Sequence, residues 1–361
     1  VRALRRTAAT AIAATLACGG PQGPPVIGVA FQETGVEAMQ VARDELSGWP
    51  IRIELAFDSA LTGDPADVEV GRAQRLVAMP RLVAVVGHGS SRGTLASAPV
   101  YADAGIPQVA PTSTSRLLAS AGPWTFSLAP SDSIEGRFMA DFAVGSLGAR
   151  TVTIYFLNDE YGEGLRDGVR ARLREQGVAV LDEVSVDPRS DFATLVEASL
   201  RRGVPDVVVV AARWVETAGV AHQMAGRHPE VRVVAGDGAV RMPILGELLG
   251  DAARNVYVVA FWLPDGADSV GRAYAERFRR ITGAEPTGTH AMTHDAIMVV
   301  ATAIREVGPR PERIRRYLAS LGRERPPYAA VTGPVSFGRD RPGSVVMTRV
   351  SGDRLVRAVT P

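Results

Sequence analysis

Short, nearly unbroken apolar runs alternate along this chain with longer stretches in which apolar residues recur every three or four positions. The runs VIGVAF (26–31), IRIELAF (51–57), LVAVVG (82–87) and PQVAP (107–111) predict strands, and 35–46, 67–79 and 91–104 between them predict helices. A second series opens near Ser131. It has helical patterns at 134–147, 163–176, 192–202 and 215–226, interleaved with strand runs at 151–157, 178–186, 206–212, 231–236 and 255–261. Because these runs are apolar throughout rather than alternating, they read as central strands covered on both faces. Three helices then follow in succession, at 270–282, 290–307 and 310–321, before the strand-like pieces PVSF (334–337), SVVMTRV (344–350) and RLVRAV (354–359).

Strands alternating with helices at this spacing predict an α/β fold of two Rossmann-like lobes with parallel sheets joined by a hinge. The expected division is 26–131 plus 263–332 for lobe 1 and 132–262 plus 333–361 for lobe 2. Ligands in such sheets bind outside the carboxyl ends of the strands, which directs attention to the polar loops there.

Composition narrows the function classes. The 361 residues carry a formal net charge of +1, which gives no electrostatic footprint for nucleic acid. Every cationic side chain is Arg and none is Lys, so the cluster Arg313, Arg315 and Arg316 reads as a solvated helix face shaped by codon bias. At the N-terminus, Arg2, Arg5 and Arg6 precede an apolar, Ala-rich run over 7–17, and then comes Cys18 followed by a Gly/Pro linker at 19–25. That order predicts an export signal over 1–18. The run is too short to span a bilayer, which takes about 18 or more apolar residues. The single cysteine excludes an intramolecular disulfide. Its setting, TLAC, resembles a bacterial lipoprotein box in which Cys18 is lipidated, anchoring an extracytoplasmic chain to the membrane.

Three readings compete for the polar loops. Gly89 to Gly93 spell G-x-S-x-G, and with Asp237 and either His290 or His294 later in the chain they offer the order Ser, Asp, His of a hydrolase triad with Ser91 as nucleophile. His290 and His294 lie four apart on one helix, with Asp295 adjacent, which invites a metal reading. The third reading is binding. Ser90 and Ser91 end one strand, and Thr112, Ser113 and Thr114 end the next, so hydroxyls and free helix-start amides would meet in one cleft and suit a carboxylate. Asp237, flanked by Gly236 and Gly238 after a strand of the second series, would face them and suit an ammonium. Together they describe a trap for a zwitterion, although each alone also reads as a cap or turn residue.

The stretches GHGSSRGT (87–94), YADAGIPQVAPTSTS (101–115), NDEYGEGLRDGV (158–169) and THAMTHDAIMVVATAI (289–304), in this order, resemble the branched-chain amino-acid (leucine/isoleucine/valine) binding proteins of ABC transporters, which have the type I periplasmic binding protein fold. The resemblance implies a monomeric, non-enzymatic binding protein without cofactor, partnered by a permease. A ligand-sensing receptor on the same fold is the alternative. It implies that Ser91, Thr112 and Thr114 hold the ligand carboxylate, that Thr112 and Asp237 receive its ammonium, and that Tyr161 lines the pocket. An aromatic after the strand 206–212 would line it too, at Arg213 or Trp214. The chain departs from the family in its short first loop, FQETG, in Gly89 where relatives carry a bulky apolar residue, and in the charges of Arg92 and Arg213. Leucine specificity is therefore not implied, and an acidic or polar ligand side chain becomes an option.

Overall fold

The computed structural model describes residues 23–31, 34–55, 65–265, 267–337 and 345–358. The expected export signal, Cys18, most of the linker, two residues of the FQETG loop, the end of the second apolar run and the outer ends of the last two pieces lie outside the described residues.

The first sheet is built from β1 (Val26–Ala30), β2 (Arg52–Leu55), β3 (Leu82–Gly87), β4 (Gln108–Ala110) and β5 (Thr125–Ser127). Its order is β2-β1-β3-β4-β5, and every pairing is parallel. Helices α1 (Thr34–Glu45), α2 (Pro65–Val77) and α3 (Ser91–Asp103) make the crossovers. β1 and β3 are buried along their whole length, as expected of strands covered on both faces.

The second sheet contains β6 (Thr151–Leu157), β7 (Ala179–Val186), β8 (Val207–Ala211), β9 (Arg232–Ala235), β10 (Val256–Ala260), β11 (Val346–Ser351) and β12 (Arg354–Arg357), in the order β12-β11-β10-β9-β8-β6-β7. The pairings are parallel except at the edge, where β11 runs antiparallel to both β10 and β12. This sheet is served by α4 (Asp132–Gly145), α5 (Glu160–Glu175), α6 (Phe192–Leu200), α7 (Trp214–Arg227) and α8 (Ile244–Leu249). The chain then returns: α9 (Ser269–Thr282) and α10 (Gly288–Val307) pack on α1, and α10 and α11 (Pro311–Ser320) pack on β3. Three segments thus cross between the sheets, after β5, after β10 and after α11.

Several elements differ from the sequence expectation, each for a physical reason. β5 is only three residues, too short to show a period, and was not expected. α8 was also missed, because it is a six-residue helix fenced by Pro243 and Gly250. α5 starts at Glu160 rather than at 163: Asp159 caps it by accepting from the Tyr161 and Gly162 amides, so the glycines of YGEG lie inside the helix. PVSF forms no strand and contributes a single bridge, Val335 to Tyr328. No helix among the described residues is long and apolar enough to cross a membrane.

Candidate functional site

The carboxyl ends of β3 and β4 in one sheet and of β6, β8 and β9 in the other open onto a shared cleft of about 390 Å³. On the first wall, Gly87 closes β3 with φ +144°, and a Cβ there would stand 2.6 Å from the Ala30 carbonyl oxygen, so only glycine lets the chain turn here. Ser90 is the cap of α3. Its hydroxyl accepts from the Gly93 amide at 3.1 Å, while Ser91 is the first helical residue. The amides of this first turn stand at the positive dipole end of the helix. Ser91 Oγ accepts from the Ser115 amide at 3.2 Å, which ties the β3 and β4 turns together. Behind this wall His88 is fully buried, bonded to Glu69 on one side and to the Tyr101 hydroxyl at 3.0 Å on the other.

Thr112 lines the cleft. Ser113 and Thr114 do not: the turn directs them behind the wall. Ser113 Oγ pairs with Thr94 Oγ1 at 2.7 Å and its carbonyl accepts from Ser127 Oγ, so it braces α3, β4 and β5. Thr114 is buried, and its carbonyl accepts from the Asp132 amide at 2.9 Å where the chain crosses to the second sheet.

The opposite wall comes from the second sheet. Tyr161 is buried in the first turn of α5, and its hydroxyl accepts from the Gly238 amide at 2.9 Å. Asp237 follows β9, and its amide donates to Glu135 Oε1 at 2.7 Å. The glycines beside Asp237 are required by this contact, since a Cβ on Gly236 would lie 2.7 Å, and one on Gly238 2.8 Å, from the Tyr161 hydroxyl. Burial pushes the Asp237 carboxyl up to about 6, against the pull of Tyr161, Glu135 and Arg213. Arg213 caps α7 and donates to Asp159 Oδ2 at 2.7 Å, and Trp214 begins α7 with the Arg241 guanidinium 4.8 Å above its ring. Both Arg213 and Trp214 line the cleft. Across the lip, Arg92 Nε of α3 meets Glu160 Oε2 of α5 at 3.0 Å.

The triad reading does not assemble. His290 bonds Glu37 and Thr287, and His294 sits 3.4 Å from Glu45 and 3.6 Å from Asp295; neither lines the cleft that holds Ser91 and Asp237. Burial opposes the charge on His294, but Asp295 and Glu45 outweigh it and raise its pKa to about 9. The adjacent Asp295 accepts from the Val331 and Thr332 amides, pinning the segment that crosses after α11. Among the described residues, no group of three or more His, Cys, Asp and Glu could hold a metal ion.

Glu69, Asp132, Glu135, Asp159 and Arg241 were not anticipated. In the sequence Asp132 and Glu135 read as ordinary first-turn acids of a helix, and nothing local marks them as fully buried.

A family model described as periplasmic binding protein matches residues 28–348. The amino acid binding protein of Pseudomonas aeruginosa is 31% identical over 317 residues, covering 82% of each chain. Among solved structures, the leucine binding protein LivK of Thermotoga maritima superposes with a TM-score of 0.84 at 23% identity, covering 93% of this chain and 98% of that one. The branched-chain amino acid transporter substrate binding protein LivJ of Streptococcus pneumoniae, solved in complex with isoleucine, gives a TM-score of 0.81 at 20% identity, covering 94% and 100%. These likenesses bear out the resemblance drawn from the ordered motifs.

Proposed function

As this chain belongs to the periplasmic binding protein family and has its type I fold, we propose that it is the extracytoplasmic solute-binding component of an ABC importer, taking an amino acid or related small zwitterion between its lobes. The observation that carries this reading is the pairing of opposite chemistries across one cleft. Hydroxyls and helix-start amides at Ser91 and Thr112 stand on one wall, and the Asp237 carboxylate stands on the other. The ligand carboxylate takes the Ser91 hydroxyl and the first-turn amides of α3. The ammonium takes Asp237 and Thr112, and Tyr161, Arg213 and Trp214 close over the side chain. Ser113 and Thr114 shape this wall from behind.

The lobes are 26–131 with 263–332 and 132–262 with 333–361, hinged where the chain crosses. Closure is driven by ligand contacts made on both walls, because a ligand touching one lobe alone would not shift the open–closed equilibrium. In this reading Cys18 carries the lipid anchor, the protein acts as a monomer, and the closed form docks on the permease.

A thermal-shift screen of amino acids, amides and small carboxylic acids tests the reading. A ligand of micromolar affinity present at a thousandfold excess stabilises the folded protein by about 4 kcal/mol, which raises the melting temperature by several degrees. Stabilisation by one or more α-amino acids, and not by the matching amines or acids alone, is expected. A screen in which no amino acid stabilises the protein contradicts it.

A further inference from the structure

Resting on that reading of the cleft, we propose that Glu135 is a proton-bearing positioning residue, a neutral carboxylic acid that holds Asp237 in place as the single charged acceptor for the ligand ammonium. Glu135 lies on the first turn of α4, fully buried and 102 positions from its partner in sequence. Its Oε1 accepts the Asp237 amide at 2.7 Å, while its Oε2 is buried with no hydrogen-bond partner among the described residues. Asp237 Oδ1 is in the same condition, and the contact from Glu135 Oε1 to the Asp237 amide sets the two buried carboxyls beside one another.

Two ionised carboxylates buried side by side away from water carry both a desolvation cost and a mutual repulsion. One proton on Glu135 Oε2, donated to Asp237, removes both at once. The proton belongs on Glu135 because of what surrounds each group. The groups facing the pair are Asp132 beside it on α4, Tyr161 from α5, Asp159 at the α5 cap and Arg213 at the start of α7, with Arg116 reaching Asp132. The cation Arg213 acts on Asp237, whereas the charges that act most on Glu135 are the acids Asp237 and Asp132, and burial raises it well above the carboxylate range. Asp237 also lines the cleft, where an arriving ammonium favours its ionised form.

A neutral Glu135 makes glutamine an isostere: the amide oxygen keeps the Asp237 amide, and the NH2 replaces the O–H toward the Asp237 carboxylate. An ionised Glu135 would instead make the same change remove a charge. The experiment compares wild type, Glu135→Gln and Glu135→Ala as full-length chains, with each proteinogenic amino acid titrated at pH 7. Binding by Glu135→Gln within about twofold of wild type, with loss of about tenfold in Glu135→Ala, is expected. Equal weakening in both variants overturns the proposal. In a second arm, infrared difference spectra of wild type minus Glu135→Gln, without amino acid, are recorded at pH 7. A protonated carboxyl C=O stretch supports the assignment and a carboxylate band overturns it. A wild type that binds no amino acid overturns the reading of the cleft and the role of Asp237 as ammonium acceptor, while the infrared arm still decides the protonation of Glu135 independently.

Discussion

Asp237→Asn is expected to stabilise the protein while destroying its binding. In the fold the Asp237 carboxyl is raised from its ordinary 3.8 to about 6, because burial penalises the charged form more than its neighbours favour it. An acid with a raised pKa holds its proton longer in the native than in the unfolded state. Its contribution therefore falls as pH rises from 3.8 to 6, and the penalty is complete above that window. A tenfold change in proton affinity corresponds to about 1.4 kcal/mol, so the charge costs at most about 3 kcal/mol near neutrality. Asparagine keeps the shape and the polar contacts and removes the charge. Urea denaturation of wild type and variant should show Asp237→Asn more stable by up to about 3 kcal/mol at pH 8, with the gain fading through the window and absent near pH 4. Binding should move the other way: removing the partner of a buried ammonium costs about 2–5 kcal/mol, or at least about 30-fold in Kd. A variant that is destabilised at pH 8, or whose gain does not change with pH, would refute the placing of a buried charge on this wall of the cleft.

Other expectations follow from the same geometry. Arg92→Ala breaks the lip contact to Glu160, a pair about one-third exposed on each side, so it should raise the ligand off-rate by a few-fold at most, with little change in melting temperature, in stopped-flow measurements. Gly238→Ala places a methyl 2.8 Å from the Tyr161 ring and hydroxyl and should cost about 1–3 kcal/mol in urea denaturation; a neutral result would mean the Asp237 turn is not held as described. His294→Gln should destabilise the protein below pH 6.5 by up to about 3 kcal/mol. Because a raised histidine pKa gives stability that is lost as pH rises through the folded value, the deficit should shrink between 6.5 and 9. A deficit that is constant with pH would place the effect in packing rather than in the ion pairs to Glu45 and Asp295.

What was legible in the sequence is what local physics writes there. The apolar runs that became β1, β3, β6, β8 and β10 could be read because a strand covered on both faces has no polar alternation to confuse it with an edge. β5 and α8 were illegible because neither is long enough to complete a period. At the cleft, Ser91, Thr112, Tyr161, Arg213, Trp214 and Asp237 each follow a strand end, and the strand-end rule brings such residues together. The same rule does not say which hydroxyl of a Thr-Ser-Thr turn points outward, so in sequence Ser113 and Thr114 are indistinguishable from Thr112 although they pack behind it. Glu135 was beyond reach for a different reason. Its meaning comes from a contact across 102 positions, and in its own neighbourhood it reads as a helix-start acid facing water.

Calorimetric titration decides whether opposite walls of one cleft hold the two charges of an amino acid. Wild type and a Ser91→Ala, Asp237→Ala double variant are titrated with the proteinogenic amino acids. Saturable binding of one or more of them to wild type is expected, with affinity of order micromolar, roughly −8 kcal/mol, and its loss in the folded double variant. Undiminished binding in the double variant, or a folded wild type that binds none of them, would contradict the two-walled site.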